Sequence, residues 1–90
     1  MKLVKKPKYI QSLAKILFII KQDKISAVKK FEKNLNEKLQ LLKSNPLMCR
    51  KSYYFEDESY RDLIYQGYTI IYKVFKDEIH ILEIFKWQNK

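Results

Sequence analysis

Apolar residues change their spacing twice along this chain, and each change marks a change of structure. Leu3-Val4, flanked by Lys2 and Lys5, reads as a short first strand. It closes at Pro7, a residue suited to the first turn of a helix because its missing N–H would have no partner there. Between Lys8 and Gln22 the residues Ile10, Leu13, Leu17 and Ile20 recur at intervals of three, four and three. That spacing draws one apolar stripe on a helix, widened by Ile16 and Ile19. Gln22-Asp23-Lys24 interrupts the stripe, and Asp23 is placed to cap a second helix. From Ile25 to Lys43 the stripe resumes as Val28, Phe31, Leu35, Leu39 and Leu42. Asn45-Pro46 stops it, since the residue before proline is pushed out of helical geometry. Two amphipathic helices joined by a short polar break predict an antiparallel helical hairpin.

Beyond Pro46 the period changes. Leu47 to Ser59 has no clean repeat and holds the acidic run Glu56-Asp57-Glu58, so it reads as a connector with an extended piece at Tyr53 to Phe55. Tyr60–Tyr65, Tyr68–Phe75 and Ile79–Phe85 are rich in β-branched and aromatic residues and are separated by Gln66-Gly67 and Lys76-Asp77-Glu78, which predicts three strands in an antiparallel meander. Tyr68, Ile70, Tyr72 and Val74 share one face of the middle strand. In the last strand His80, Leu82, Ile84 and Lys86 alternate with Ile79, Ile81, Glu83 and Phe85. The whole pattern predicts an α+β fold: one strand, a two-helix hairpin, then a three-stranded meander, forming one small sheet packed on the helices.

Length and composition narrow this further. Ninety residues hold one domain, here expected over residues 1–90, because a core of this size buries only about 60 to 65% of the unfolded surface. With 47% hydrophobic and 14% aromatic residues the chain has too much core material for a disordered segment. Cys49 is the one cysteine, so no intramolecular disulfide is possible, and no second Cys or His lies at zinc-ligand spacing. A cytoplasmic protein without metal or cofactor is expected. Lys15 interrupts the apolar run of the first helix, and no segment approaches the length of a membrane span, so no membrane partner is expected. Residues 1–52 carry 14 Lys and Arg against 3 acidic residues, whereas residues 53–90 carry 5 against 7. The basic first half predicts attraction to a polyanion or an acidic protein.

Several ordered segments resemble the RelE/ParE family of small bacterial toxins. Leu42-Lys43-Ser44-Asn45-Pro46 resembles the family's leucine and proline after the second helix. Tyr60-Arg61-Asp62-Leu63-Ile64 resembles its arginine-bearing strand, and Gly67-Tyr68-Thr69-Ile70-Ile71-Tyr72-Lys73-Val74 its Tyr-x-Ile-x-Tyr strand after a short turn. Ile79 to Ile84 resembles its last strand. The resemblance covers nearly the whole chain and departs from the family where Cys49, rather than glycine, precedes Arg50. It implies the toxin half of a type II toxin–antitoxin pair, neutralised by a cognate antitoxin that is acidic and partly disordered. Its target is DNA gyrase in ParE-like members, or the ribosome and its mRNA in RelE-like nucleases.

Cleavage of RNA through the 2′-hydroxyl needs a proton acceptor, a proton donor and cations for the developing phosphorane charge. The places that bear such residues in RelE-like nucleases are matched here by Tyr60, Asp62, Thr69 and Asn89, none of which is a cation. The resemblance therefore implies the non-catalytic, ParE-like branch. Were the chain a nuclease, Arg61, Tyr60, His80 and Lys86 would be its candidate catalytic residues. His80, the lone histidine, has no Ser, Cys or acidic neighbour at motif spacing and reads more simply as a strand residue. Cys49 beside Arg50 and Lys51 is either a thiol of lowered pKa or, more simply, a small space-filler. Arg50, Lys51, Arg61, Lys86 and Trp87 are the candidates for binding target or antitoxin, Trp87 because tryptophan is enriched at binding hot spots. Tyr65, Tyr68 and Tyr72 fit a stacking surface for bases less well than a core. A non-toxic basic nucleic-acid-binding module remains the contrasting class.

Overall fold

The computed structural model of the chain describes residues 1–86. Its elements are β1 (Lys2–Lys5), α1 (Pro7–Asp23), α2 (Ile25–Leu41), β2 (Arg50–Lys51), β3 (Tyr60–Tyr65), β4 (Tyr68–Val74) and β5 (Glu78–Lys86). The five strands form one mixed sheet in the order β1-β5-β4-β3-β2. The expected α+β architecture is present, with two additions. The first strand joins the meander edge to edge, parallel to β5, with Leu3 beside Ile79 and Lys5 beside Ile81. The extended piece of the connector lies at Arg50–Lys51 rather than at Tyr53 to Phe55, because that is where the chain runs antiparallel to β3, Arg50 opposite Asp62 and Lys51 opposite Arg61.

Pro7 opens α1, as its lost N–H permits. The hairpin turns on one residue. Lys24 adopts an extended conformation (φ −160°, ψ 121°) and is both the C-cap of α1 and the N-cap of α2, with no side-chain cap on either helix start. Asp23 does not cap α2. It is the last residue of α1, since the helix runs on until Lys24 breaks it, and the Lys24 N–H donates to the Ile20 carbonyl at 3.1 Å. The second helix ends at Leu41 rather than Lys43, and turns follow it, with the Asn45 N–H on the Leu41 carbonyl at 3.1 Å.

The core lies between the hairpin and one face of the sheet. From α2 it takes Phe31, Leu35 and Leu39, with Leu42 just past its end. From the sheet it takes Leu63, Tyr65, Ile70, Tyr72, Ile79, Ile81 and Ile84. Each fully buried Leu or Ile of this kind contributes about 1.5–3 kcal/mol over its exposed state. The stripe of α1 packs as expected in its middle and differs at its first position, which Tyr9 fills in place of Ile10. Tyr9 is buried and Leu13, Ile16, Leu17 and Ile20 pack beside it, whereas Ile10 is 52% exposed. Tyr65 and Tyr72 are core residues whose hydroxyls donate to backbone carbonyls, Phe31 at 3.0 Å and Pro46 at 2.9 Å. The second of these bonds ties the loop after α2 to the middle strand.

The last strand does not alternate strictly. Ile71 stands opposite Glu83 and Tyr72 opposite Ile81, so Leu82 is an extra residue, a β-bulge. Without it, the core face would read Ile79, Ile81, Glu83. The bulge shifts the phase by one and places Ile84 in the core instead, leaving Glu83 and Phe85 on the other side. No helix among the described residues is long and apolar enough to cross a membrane.

Candidate functional site

The face of the sheet turned away from the helices is covered in part by the connection between β2 and β3. Arg61 ties the far end of that segment to the residue before β2. Its Nε donates to the Glu58 carbonyl and its terminal nitrogen to the Cys49 carbonyl, each at 3.1 Å. Asp62, one residue on, points to the outer face and is 1% exposed. One of its oxygens accepts the Tyr53 N–H at 3.0 Å and lies 3.4 Å from the Arg50 guanidinium, which itself sits 3.7 Å from the centre of the Tyr53 ring. Among the described residues the other oxygen of Asp62 has no hydrogen-bond partner, and neither has the hydroxyl of fully buried Thr69 on the same face. Ser52 accepts the Tyr54 N–H, and the Tyr54 ring meets the Phe85 ring edge-on at 5.3 Å. Buried polar groups and exposed rings thus share one surface.

At the end of the sheet where β3 begins, a second group of side chains crosses three strands. Tyr60, Lys73 and His80 are neighbours in register. Phe55 stacks on Tyr60 with ring centres 4.0 Å apart and planes 13° apart. The Lys73 ammonium lies 4.8 Å from the Tyr60 ring centre and 5.0 Å from that of Phe75, within reach of a cation–π attraction to both. Phe75 packs on the His80 ring at 4.4 Å, and His80 Nε2 lies 3.0 Å from a Glu78 carboxylate oxygen. Phe75, Lys76, Asp77, Glu78 and His80 line an open hollow beside this row.

Acidic groups surround the row. The backbone N–H and hydroxyl of Ser59, both on one Asp57 oxygen at 2.9 Å, hold that carboxyl below its ordinary value. Glu58 is lowered by its 2.6 Å hydrogen bond to Lys51 and by that lysine's charge, and Glu78 by its bond to His80. All three carry full negative charge at neutral pH.

The structure separates the candidate residues into groups. Arg50, Lys51 and Arg61 come together around β2, but each is engaged: with Asp62, with Glu58 and with two carbonyls. Tyr60 and His80 flank Lys73 in the row just described. Lys86 pairs with Tyr68 at the far end of the sheet, five residues along β3 from Tyr60, which is about 17 Å at the rise of a strand. Arg61, Tyr60, His80 and Lys86 therefore do not converge. Trp87 and Asn89 lie outside the described residues. Burial pushes the Cys49 thiol up, the opposite of activation, and Cys49 packs against the core. Among the described residues no three His, Cys, Asp or Glu side chains gather as metal ligands would. Lys73, Phe55 and Phe75 were not among the sequence candidates. The available signal was the parity of β4, which puts Lys73 and Phe75 on the side opposite the apolar face of Tyr68, Ile70 and Tyr72.

Among known proteins, the family described as ParE toxin of type II toxin–antitoxin system, parDE, has a model that matches residues 3–88 of this chain. A solved structure described as "Chromosomal ParDE TA system from P. aeruginosa" contains a similar chain, with a TM-score of 0.77 at 22% identity, covering 98% of this chain and 97% of that one. No curated protein sequence matches.

Proposed function

The chain belongs to the ParE toxin family of type II toxin–antitoxin systems, and we propose that it arrests growth by binding and inhibiting DNA gyrase, cutting no RNA itself, until a cognate antitoxin neutralises it. The observation that carries the non-nuclease part is the fate of the outer sheet face. The positions that resemble the nuclease places include Asp62 and Thr69, which are 1% and 0% exposed, Asp62 beneath the residue 52–59 segment through the Tyr53 N–H. A buried carboxylate there repels the charge that a phosphorane would develop. Lys73, a cation on that face with no ion pair among the described residues, lies between two rings rather than beside a proton acceptor.

The antitoxin reading is supported by the hairpin. Pro7–Leu41 carries eight lysines against three acidic residues, and Ile10, Phe18, Ile19 and Ile25 are more than half exposed. An acidic segment that folds as it binds matches both properties.

Controlled expression in bacteria tests the proposal, with growth followed and mRNA 5′ ends mapped soon after induction. Arrest without new 5′ ends is expected, together with loss of supercoiling when the purified chain is added to purified gyrase. Codon-phased cuts would replace this reading with a ribosome-dependent nuclease. The product of the neighbouring gene, if it is the antitoxin, should co-elute with the chain on gel filtration and restore growth.

A further inference from the structure

We propose that the row Phe55, Tyr60, Lys73, Phe75 and His80, with the hollow beside Phe75, is the surface that docks the toxin's target, and that what docks there is a folded protein rather than a nucleic acid or the antitoxin. The assignment rests on the toxin reading above but not on gyrase being the target.

Three observations carry it. First, the row is continuous, each side chain touching the next across three strands, and two of its rings remain substantially exposed, Phe55 at 43% and Phe75 at 41%. A contiguous aromatic patch that folding leaves in water marks an interaction site, whereas single exposed apolar residues do not. Rings that already pack on one another lose little freedom on binding, which favours them as anchors. Second, Lys73 is held over two rings and forms no ion pair among the described residues. It is available to a carboxylate of the partner at the centre of an otherwise apolar contact. Third, the charges at the rim select the class of partner. Asp77 and Glu78 share the hollow with Lys76, and Glu58 is paired with Lys51, so the rim is mixed in sign and offers no basic track to a phosphate backbone or to an acidic antitoxin; a polar, mixed rim around an apolar centre is the anatomy of a protein–protein contact. The lysine-rich surface that would attract either polyanion is the helical hairpin. A protein surface with an apolar ridge and a carboxylate opposite Lys73 fits what remains.

The test is the double variant Phe55→Ala/Phe75→Ala, compared with the wild-type chain under the same inducible promoter. Far-UV circular dichroism and a cooperative thermal melt establish that it folds. The row docks the target if the folded variant loses growth arrest and, where the wild type inhibits purified gyrase, needs at least a tenfold higher concentration to do so. A folded variant that arrests growth like the wild type overturns the assignment. Lys73→Glu serves as the second variant: it leaves the rings in place, is expected to weaken arrest in the same direction, and decides the matter if the double variant does not fold. Wild-type arrest with intact gyrase activity would sink the gyrase reading alone, since loss of arrest in the variants would still locate the docking face. Steeply salt-dependent binding of single-stranded RNA or DNA that both variants abolish would overturn the choice of a protein partner, because phosphate contacts carry that salt slope. No arrest by the wild-type chain would overturn the toxin reading and this assignment together.

Discussion

Asp62 has no exposed side-chain surface, yet it keeps an ion pair with Arg50 and the Tyr53 N–H, so its carboxylate links β2, β3 and the start of the covering segment. Removing one partner of such a buried pair leaves the others desolvated and unpaired. Asp62→Ala is therefore expected to cost about 2–3 kcal/mol, at the lower end for buried pairs because Arg50 remains partly exposed. In a chain of this size that lowers the melting temperature by roughly 8–24 °C. Asp62→Asn keeps an acceptor for Tyr53 and should lose about half as much. Thermal melts of the two variants check this, and equal, small losses would show that the pair holds nothing. Asp62 also shows what residue types alone conceal. The sequence places it on a strand beside Arg61, where the arginine looks like the functional group. In the fold Arg61 is engaged by backbone carbonyls from residues 49 and 58, and it is Arg50, twelve residues away from Asp62, that completes the acid's environment. A contact between residues so far apart depends on the pairing of β2 with β3, which a two-residue strand does not announce by any period.

At the scale of elements β3, β4 and α2 are legible because their core residues repeat at clean intervals. Where the structure departs from the sequence pattern, one residue is the cause: Lys24, which turns the hairpin without Asp23 as a cap, and Leu82, whose bulge resets the alternation of β5. The turn between β3 and β4 is explicit in Gln66-Gly67. Both residues have positive φ, 47° and 83°, as a two-residue hairpin of the type that matches strand twist requires. Among the described residues there is open space where Ala at position 67 would place its methyl group, so Gly67→Ala should cost only the backbone penalty, about 1 kcal/mol. Gln66→Asn, better suited to left-handed backbone, should stabilise by a few tenths of a kcal/mol. Urea titration of both variants measures these effects, and a Gly67→Ala loss several times larger would mean that the turn makes a contact not seen here. The residue 52–59 segment has a pH signature. Asp57 and Glu58 have pKa values lowered from 3.8 and 4.5, so the folded state binds their protons less readily than the unfolded chain. Their contribution is fully present above those values and is lost as pH falls through the lowered ones. The melting temperature should therefore hold down to about pH 5 and fall below about pH 4. Asp57→Asn should shallow that fall, and an unchanged acid slope would exclude Asp57 as a contributor.

For the molecule as a whole, the unequal charge of the two halves becomes a division between surfaces. The lysine-rich first half supplies β1, the hairpin and β2, while of the acidic residues of the second half Asp77 and Glu78 line the hollow beside the outer aromatic row and Asp62 and Glu83 pair with Arg50 and Lys8. Charge at this scale acts before contact: it raises the rate at which an oppositely charged partner meets the correct face, and it is screened beyond a Debye length of about 8 Å at physiological salt. On the proposed function an acidic antitoxin is steered to the hairpin, and the proposed docking row meets the target by contacts that depend on shape and apolar area. Lys15 and Lys29 are exposed on the two helices, and reversing both removes four units from the net charge of +9. Lys15→Glu/Lys29→Glu is expected to slow association with the antitoxin about tenfold at 50 mM salt, with most of the difference gone at 0.5 M and the dissociation rate little changed. Growth arrest in the absence of antitoxin should persist, since neither lysine borders the aromatic row. Stopped-flow association across a salt series separates these effects. An association rate indifferent to both reversals would place the antitoxin elsewhere, and a loss of arrest with retained fold would mean that the hairpin, not the outer face, meets the target.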